Sequence, residues 1–370
     1  MSGEKVDNFA FIIHPIDPKR DVQRKFPLLG KFLPVPAINF LSRFFPPIYI
    51  SHITGIRSQA TGKEIEGWFV ACPFTPQRMM SLPAGTVYRK IIATAKKAQS
   101  LGARLVGLGA YTSVVGDGGL TIGQGVEIPV TTGDSYTVAV AVEAIKQAAQ
   151  RMSIDLTTAT AAIVGATGAI GAVSAELLAQ AVPQIILIGR RPDKLAQVKA
   201  RCEAAGAEVQ ISTDLAALHQ ADLVLTVTSA LDSIIQPEHL KPGAVVCDVA
   251  RPRDVSRKVI EERNDVLVIE GGMVEVPGDV DFHFNFGFPP RMAYACMAET
   301  IALALEGRYE SYTLGKDLTI EQVQEIDRIA RHHGFKLGGF RSFEKAVSDE
   351  QIEQIKLNAR SSRWGQAAAV

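Results

Sequence analysis

Cysteine is scarce in this chain. The four residues Cys72, Cys202, Cys247 and Cys296 are spread over 370 positions without a C-x-x-C pair, which argues against a disulfide scaffold and a structural zinc site. No other metal-ligand spacing occurs, so no metal is expected. There is no excess charge of either sign: Lys plus Arg number 39, as do Asp plus Glu. A nucleic-acid partner, which usually calls for a basic surplus, is therefore not expected. No charged–apolar–small leader is visible, so a reducing cytoplasm and free thiols are the expectation. A long uninterrupted apolar run is missing too. The richest stretch, residues 32–50, carries Arg43 and Pro34, Pro36, Pro46 and Pro47, which excludes a spanning helix. It reads as a loop or short helices packed on the core. The functional alternative is an apolar surface for a lipid-like substrate or for peripheral membrane contact. No G-x-S-x-G elbow of a serine hydrolase and no internal repeat occurs.

What is present is ordinary globular material, 47% hydrophobic and 21% charged, at a length that suggests two domains. Residues 1–155 read as an N-terminal α/β substrate domain. It contains a helix at 87–101, a strand at 105–109, a glycine-rich loop at 116–125 and a helix at 135–152 with apolar residues at helical spacing. Residues 156–290 alternate apolar strands (161–164, 185–188, 208–211, 223–227, 245–248, 266–269) with helical stretches, the pattern of a Rossmann doubly wound parallel sheet. Residues 291–370 read as C-terminal helices packing back on the domains. The first spans 291–305 and stops at Gly307; two later ones are marked by the capping boxes Thr319/Gln322 and Ser348/Gln351.

The run Gly165-Ala166-Thr167-Gly168-Ala169-Ile170-Gly171 lies between the first of these strands and its helix. Gly165 permits the tight turn, Gly168 leaves room for a pyrophosphate at the helix N-terminus, and Gly171 lets helix and sheet approach. An acidic residue normally ends the next strand when the ribose hydroxyls of NAD are bound. Here Arg190 and Arg191 stand there, and two guanidinium groups suit the 2′-phosphate of NADPH. Thr228, Ser229, Gly271 and Gly272 follow later strands at their carboxyl ends and are expected to line the nicotinamide side.

Cys296, read alone, is more often a buried inert thiol than a nucleophile. Other segments change that weight. Ala71-Cys72-Pro73-Phe74, Leu108-Gly109-Ala110-Tyr111-Thr112-Ser113, Thr131-Thr132-Gly133-Asp134-Ser135, the glycine run, Glu270-Gly271-Gly272-Met273-Val274-Glu275 and Tyr294-Ala295-Cys296 occur in an order and spacing that resembles the long-chain acyl-[acyl-carrier-protein] reductases. The likeness covers roughly residues 60–335. The run Asp248-Val249-Ala250-Arg251-Pro252-Arg253-Asp254 looks instead like shikimate dehydrogenase and glutamyl-tRNA reductase relatives of the same plan. The resemblance implies that Cys296 accepts the acyl group.

It further implies that the Cys296 thiolate attacks an acyl thioester of carrier protein or coenzyme A, and that hydride from NADPH then releases a fatty aldehyde. Ser113, Thr132 or amides near Gly272 are the expected oxyanion donors. Asp134 is expected to orient water or a neighbouring hydroxyl, with a helix N-cap as its alternative. Three rivals remain open: a shikimate/quinate-type NADP-dependent dehydrogenase using Lys63 and an acid, a glutamyl-tRNA reductase, and a non-catalytic NADPH-binding protein. Cys72 reads as structural, and His332 and His333 as partners of the carbonyls that end their helix.

Overall fold

The computed structural model describes residues 6–367. They form two compact units, one of residues through Tyr136 plus Val274–Lys336, the other of Thr137–Met273 plus the chain from Leu337 onward. This division differs from the expected cuts at 155 and 290. Instead of a cut at 155, the units part after Tyr136, inside the helix Asp134–Arg151. The second fails because residues after 273 return to the first unit. There the strand Gly278–Asp281 joins Ile48–Arg57, and the helix Ala295–Glu306, apolar on nearly every side, packs on the strands Asn8–Ile13 and Val106–Leu108.

In the first unit, six strands lie in the spatial order Gly278–Asp281, Ile48–Arg57, Glu64–Ala71, Asn8–Ile13, Val106–Leu108, Val130–Thr131. The Asn8–Ile13 strand is central and parallel to both neighbours, and the edge toward Gly278–Asp281 is antiparallel. Side chains alternate across such a sheet. Ala10 and Ile12 join the core cluster that also buries Val87, Ile91, Ala95 and Ala98 of the helix Ala84–Ser100. Gly107 explains how the helix Ala295–Glu306 comes close to the sheet. A Cβ at Gly107 would lie 2.1 Å from Thr300 Oγ1 and 2.6 Å from Phe11 Cδ2, so glycine is the side chain that leaves room. Residues 32–50 form the end of the helix Pro27–Phe32, the helix Val35–Leu41 and the start of Ile48–Arg57. Phe32, Phe40 and Phe44 point outward. Among the described residues no helix is long and apolar enough to cross a membrane.

The second unit is a six-stranded sheet in the order Leu267–Glu270, Val245–Asp248, Leu223–Thr226, Thr160–Val164, Gln184–Ile188, Glu208–Ser212. Every pairing is parallel, and the first strand in sequence is central, the Rossmann order 3-2-1-4-5-6. Leu223–Thr226, Val245–Asp248 and Leu267–Glu270 are buried throughout, as strands covered on both faces require. The expected α/β doubly wound sheet is thus present, strand for strand. The helix expected over 291–305 begins later, at Ala295. Arg291 has φ +65, and Met292–Tyr294 is extended before the helix starts.

Replacing Gly107 with valine forces Thr300 and Phe11 aside. Overpacking of this kind costs about 1–3 kcal/mol. Chemical denaturation should show that loss in Gly107→Val, with a smaller loss in Gly107→Ala.

Candidate functional site

In the second unit the glycine run does what its spacing requires. Gly165 has φ +86, and a Cβ there would lie 2.6 Å from the Val227 carbonyl oxygen and 3.2 Å from Thr228 Cγ2. A Cβ at Gly171 would lie 2.4 Å from the Gly165 carbonyl oxygen, so turn and helix are in backbone contact. Gly168 is the exception. It is exposed, and a Cβ there would meet only the Gly165 oxygen, at 3.4 Å. It heads the helix Ala169–Ala179 with no side-chain cap, leaving an open cradle beside a positive helix end. Thr167 borders Gly189, which puts the start of Arg190-Arg191 next to the loop. Both arginines are exposed, and among the described residues neither makes an ion pair. These residues fit a nicotinamide dinucleotide, with the arginines suited to the 2′-phosphate of NADPH.

Thr228 borders the glycine turn, but its hydroxyl and its amide (2.9 Å) both donate to buried Asp254. Its role there is to hold the turn. Ser229 beside it is exposed. Gly271 carries space for Val249, 2.7 Å from an added Cβ, and Gly272 has φ +89. Buried Glu270 takes Arg253 at 2.7 Å, Arg251 at 3.5 Å and the Glu344 amide at 2.9 Å. Burial opposes its charge, but the two guanidiniums and the amide hold its carboxyl below the usual range.

Cys296 lies in the first unit as the second residue of the helix Ala295–Glu306, whose start carries no side-chain cap. Gly133 is pressed against it. Its φ is +79, and a Cβ there would lie 2.3 Å from Cys296 Cβ. The turn through Thr131, Thr132, Gly133 and Asp134 therefore forms one wall around the thiol. Glu299 stands one helical turn beyond Cys296 and is 0% exposed. Its carboxylate accepts from Ser135 Oγ at 2.6 Å, the Tyr136 amide at 2.9 Å, Thr313 Oγ1 at 3.1 Å, and the Thr131 hydroxyl.

The resemblance implies attack by a Cys296 thiolate, and this setting disfavours that form. Burial, then the charges of Asp134 and Glu299, push the Cys296 thiol up to about 12, against the pull of the Met297 and Cys296 amides at the helix start. At neutral pH the sulfur keeps its proton. Burial and the charge of Glu299 likewise raise the Asp134 carboxyl to about 8, opposed by the Thr132 hydroxyl. Asp134 is not the cap of its helix. The helix runs from Asp134 itself, and the Tyr136 amide goes to Glu299.

The sequence-predicted donors divide. Thr132 is in the cluster, but its hydroxyl donates to the Thr313 carbonyl at 2.8 Å. Ser113 is outside it, its hydroxyl donating to Ala110 O at 2.8 Å in the turn Tyr111–Val114. The amides of Cys296 and Met297, at the uncapped helix start, are turned toward the Cys296 sulfur. Glu299 was missed. The available signal was a lone acid inside Ala295-Cys296-Met297-Ala298-Glu299-Thr300-Ile301-Ala302, three residues from the thiol and so on its face.

Lys63 caps the other end of this helix, donating to Leu305 O at 2.9 Å and Ala304 O at 3.3 Å while pairing with Asp7 at 2.5 Å. That is a cation at a helix C-terminus, not a Lys/Asp134 catalytic pair. Cys72 is fully buried and burial raises its thiol to about 11. His333 differs from the expectation: it bridges Glu306 at 2.8 Å and Ser58 at 2.8 Å instead of the terminal carbonyls.

Comparison with known proteins adds four likenesses. Residues 146–270 match the family profile "Shikimate / quinate 5-dehydrogenase". The chain is 30% identical over 305 residues to the aminotransferase PigE of a Serratia species, covering 81% of this chain but only 35% of PigE's length. L-tryptophan dehydrogenase from Nostoc punctiforme is a solved structure with 12% identity and a TM-score of 0.42, covering 96% of this chain and 89% of its own. A long-chain acyl-[acyl-carrier-protein] reductase from Synechococcus elongatus is 30% identical over 306 residues, 79% of this chain and 87% of that protein. On that extent and identity, the chain belongs to the long-chain acyl-[acyl-carrier-protein] reductase family.

Proposed function

We propose that the protein is an oxidoreductase that reduces a long-chain acyl thioester, carried by acyl carrier protein or coenzyme A, to the fatty aldehyde through an acyl group on Cys296. The observation that carries this reading is the setting of Cys296: a thiol at an uncapped helix start, walled by Gly133 and faced by buried Glu299 and half-buried Asp134. NADPH, when held by the glycine run and Arg190-Arg191, supplies the hydride. The chain's own residues handle the proton. Ionised Asp134 takes the Cys296 proton as sulfur bonds to the acyl carbon. The amides of Cys296 and Met297 face the oxygen that gains charge. Asp134 returns the proton to the departing carrier thiol, leaving a neutral thioester on Cys296. Reduction leaves an oxyanion on the carbon bonded to Cys296. As it collapses to the aldehyde and the C–S bond breaks, Asp134, reprotonated from solvent, delivers its proton to sulfur and Cys296 leaves as the thiol.

The shikimate/quinate-type alternative rests on a profile confined to residues 146–270, and Lys63 is engaged with a helix end. A non-catalytic NADPH-binding protein would form no adduct. Incubation with hexadecanoyl thioesters of carrier protein and of coenzyme A should give aldehyde and, without NADPH, a mass increase of one acyl group. Cys296→Ala should abolish both. An NADPH-binding wild type with neither product rejects the reading.

The acids also set a pH dependence. Asp134 works as a base only when ionised, so acylation should rise with pH through about 8. Asp134→Asn should remove that limb and slow acylation by about 10²–10⁴-fold. Glu299→Gln removes the charge that raises both neighbours, and should move the limb to lower pH. Stopped-flow acylation from pH 6 to 10 checks both.

We also infer peripheral contact with an anionic membrane. Leu28 and Phe32 are 72% exposed, Phe44 66% and Phe40 58%. Lys31 lies over the Phe32 ring and Arg43 over the Phe44 ring, and Lys19, Arg20, Arg24 and Lys25 lie on the preceding helix. Apolar tips among basic groups suit an interface with acidic lipids. Cosedimentation with phosphatidylglycerol-containing vesicles should fall in Phe32→Ser/Phe44→Ser, and absence of wild-type binding overturns this contact.

A further inference from the structure

Seven residues of the first unit carry a phenylalanine at every second position: Phe282, Phe284, Phe286 and Phe288, with His283, Asn285 and Gly287 between them. The motif follows the strand Gly278–Asp281 and ends near the helix of Cys296. Its rings touch in sequence. Phe282 stacks on Phe69 at 5.7 Å, and Phe286 meets Phe69 at 5.4 Å and Phe282 at 5.1 Å. Phe284 reaches Phe69 at 6.5 Å. Phe286 then meets Phe288 at 5.7 Å, and Phe288 meets Tyr294 at 4.4 Å. Tyr294 is the residue from which the helix of Cys296 starts, so an unbroken run of rings ends two residues before the candidate nucleophile in the chain.

Two features separate this run from an ordinary core. Phe69 and Phe282 are buried and form its floor, whereas Phe284, Phe286, Phe288 and Tyr294 keep part of their surface open. His283 and Asn285 between them are exposed, so the polar residues face water while the rings gather on Phe69. The segment is also fixed at both ends. Ser51 Oγ donates to Phe282 O at 2.8 Å. At the other end, Arg291 O accepts from the Val276 amide at 2.9 Å while its side chain pairs with Glu275 at 2.6 Å. A half-open aromatic face held this way binds hydrocarbon with little ordering cost.

We propose that the rings of Phe284, Phe286, Phe288 and Tyr294 form the binding track for the aliphatic tail of the acyl group delivered to Cys296. This inference rests on the acyl-thioester reading above and adds the location and class of the tail site: an unbranched hydrocarbon chain, without a polar terminus, laid along aromatic faces. The track sets chain-length preference, because a short acyl group reaches Cys296 without meeting the rings beyond Phe288.

The test compares hexadecanoyl and butanoyl thioesters of the same carrier on wild type, Phe286→Ala and Phe286→Leu, reading kcat/KM and the Cys296 acyl adduct. In Phe286→Ala the hexadecanoyl value should fall at least tenfold more than the butanoyl value, and Phe286→Leu, which keeps apolar bulk, should recover most of the ratio. Equal losses for both chains, with adduct still forming, overturn the track while leaving the acyl-enzyme reading intact. Calorimetric titration of Cys296→Ala with the hexadecanoyl thioester makes the test independent of turnover. Binding at least tenfold weaker in Cys296→Ala/Phe286→Ala supports the track, and unchanged binding overturns it. Failure of wild type to form an adduct with either thioester, while still binding the hexadecanoyl compound, would remove the acyl-enzyme reading and not the tail site.

Discussion

Among the described residues Glu299 is buried without a cation, burial raises its carboxyl against the pull of its hydrogen-bond donors, and the environment of the candidate nucleophile depends on how that burial is compensated. A carboxylate taken out of water is costly unless its lone pairs are met by donors. Here Ser135, the Tyr136 amide, Thr131 and Thr313 meet them. Those donors come from two separate chain segments, residues 131–136 and the loop of Thr313, so the carboxylate ties both to the helix of Cys296. It also takes over the capping of the helix Asp134–Arg151, whose own first residue does not do so. Removing it would strand several buried donors at about 1–3 kcal/mol each.

Close backbone approach is the second constraint, and it recurs in both units. Gly133 against Cys296, Gly107 against Thr300 and Gly171 against the Gly165 carbonyl each leave less than a methyl group's width. In the second unit the contact fixes the glycine turn against the start of the helix Ala169–Ala179. In the first it brings a sheet face and a turn onto one helix. At Lys63 the far end of that helix is held by a cation on its last carbonyls. Cys296 is therefore positioned from both ends of its helix and from one side.

These differences explain what could be read from the sequence. The cofactor unit was legible because its information is local: apolar strands of four to five residues, a glycine run at one junction, and Arg190-Arg191 one strand later. The site around Cys296 was legible only as a set of segments. The contacts of Glu299 with Thr131, Ser135 and Tyr136 span 163–168 residues of sequence, and no periodicity reports a pairing of that range. The same blindness misplaced the unit boundary at 290, since the return of Gly278–Asp281 to the edge of Ile48–Arg57 is a long-range pairing. The late start of the Cys296 helix was hidden by a local backbone event, the positive φ of Arg291. Glu299 alone left a readable trace, as a charge where the helix is otherwise apolar.

The two acids appear at first to work against a cysteine nucleophile, since raising a thiol from its ordinary value near 9 to about 12 disfavours the thiolate by roughly 4 kcal/mol. The proposed chemistry needs the sulfur to leave as well as to attack, and the balance changes across the cycle. The free thiolate is the species the carboxylates penalise; a thioester sulfur carries no charge and escapes the penalty. The acids therefore favour the acylated enzyme over the ionised one, and they protect the resting thiol from reactions that need a thiolate. When the reduced intermediate breaks down, the same field resists expulsion of a bare thiolate, so cleavage of the C–S bond is tied to proton delivery at sulfur. Asp134, raised to about 8, carries a proton for that step at neutral pH and gives it up for the attack as pH rises. A carboxyl group near its ordinary value would serve as base but would rarely hold the returning proton. Glu299, by raising Asp134, makes both directions of transfer available to one residue.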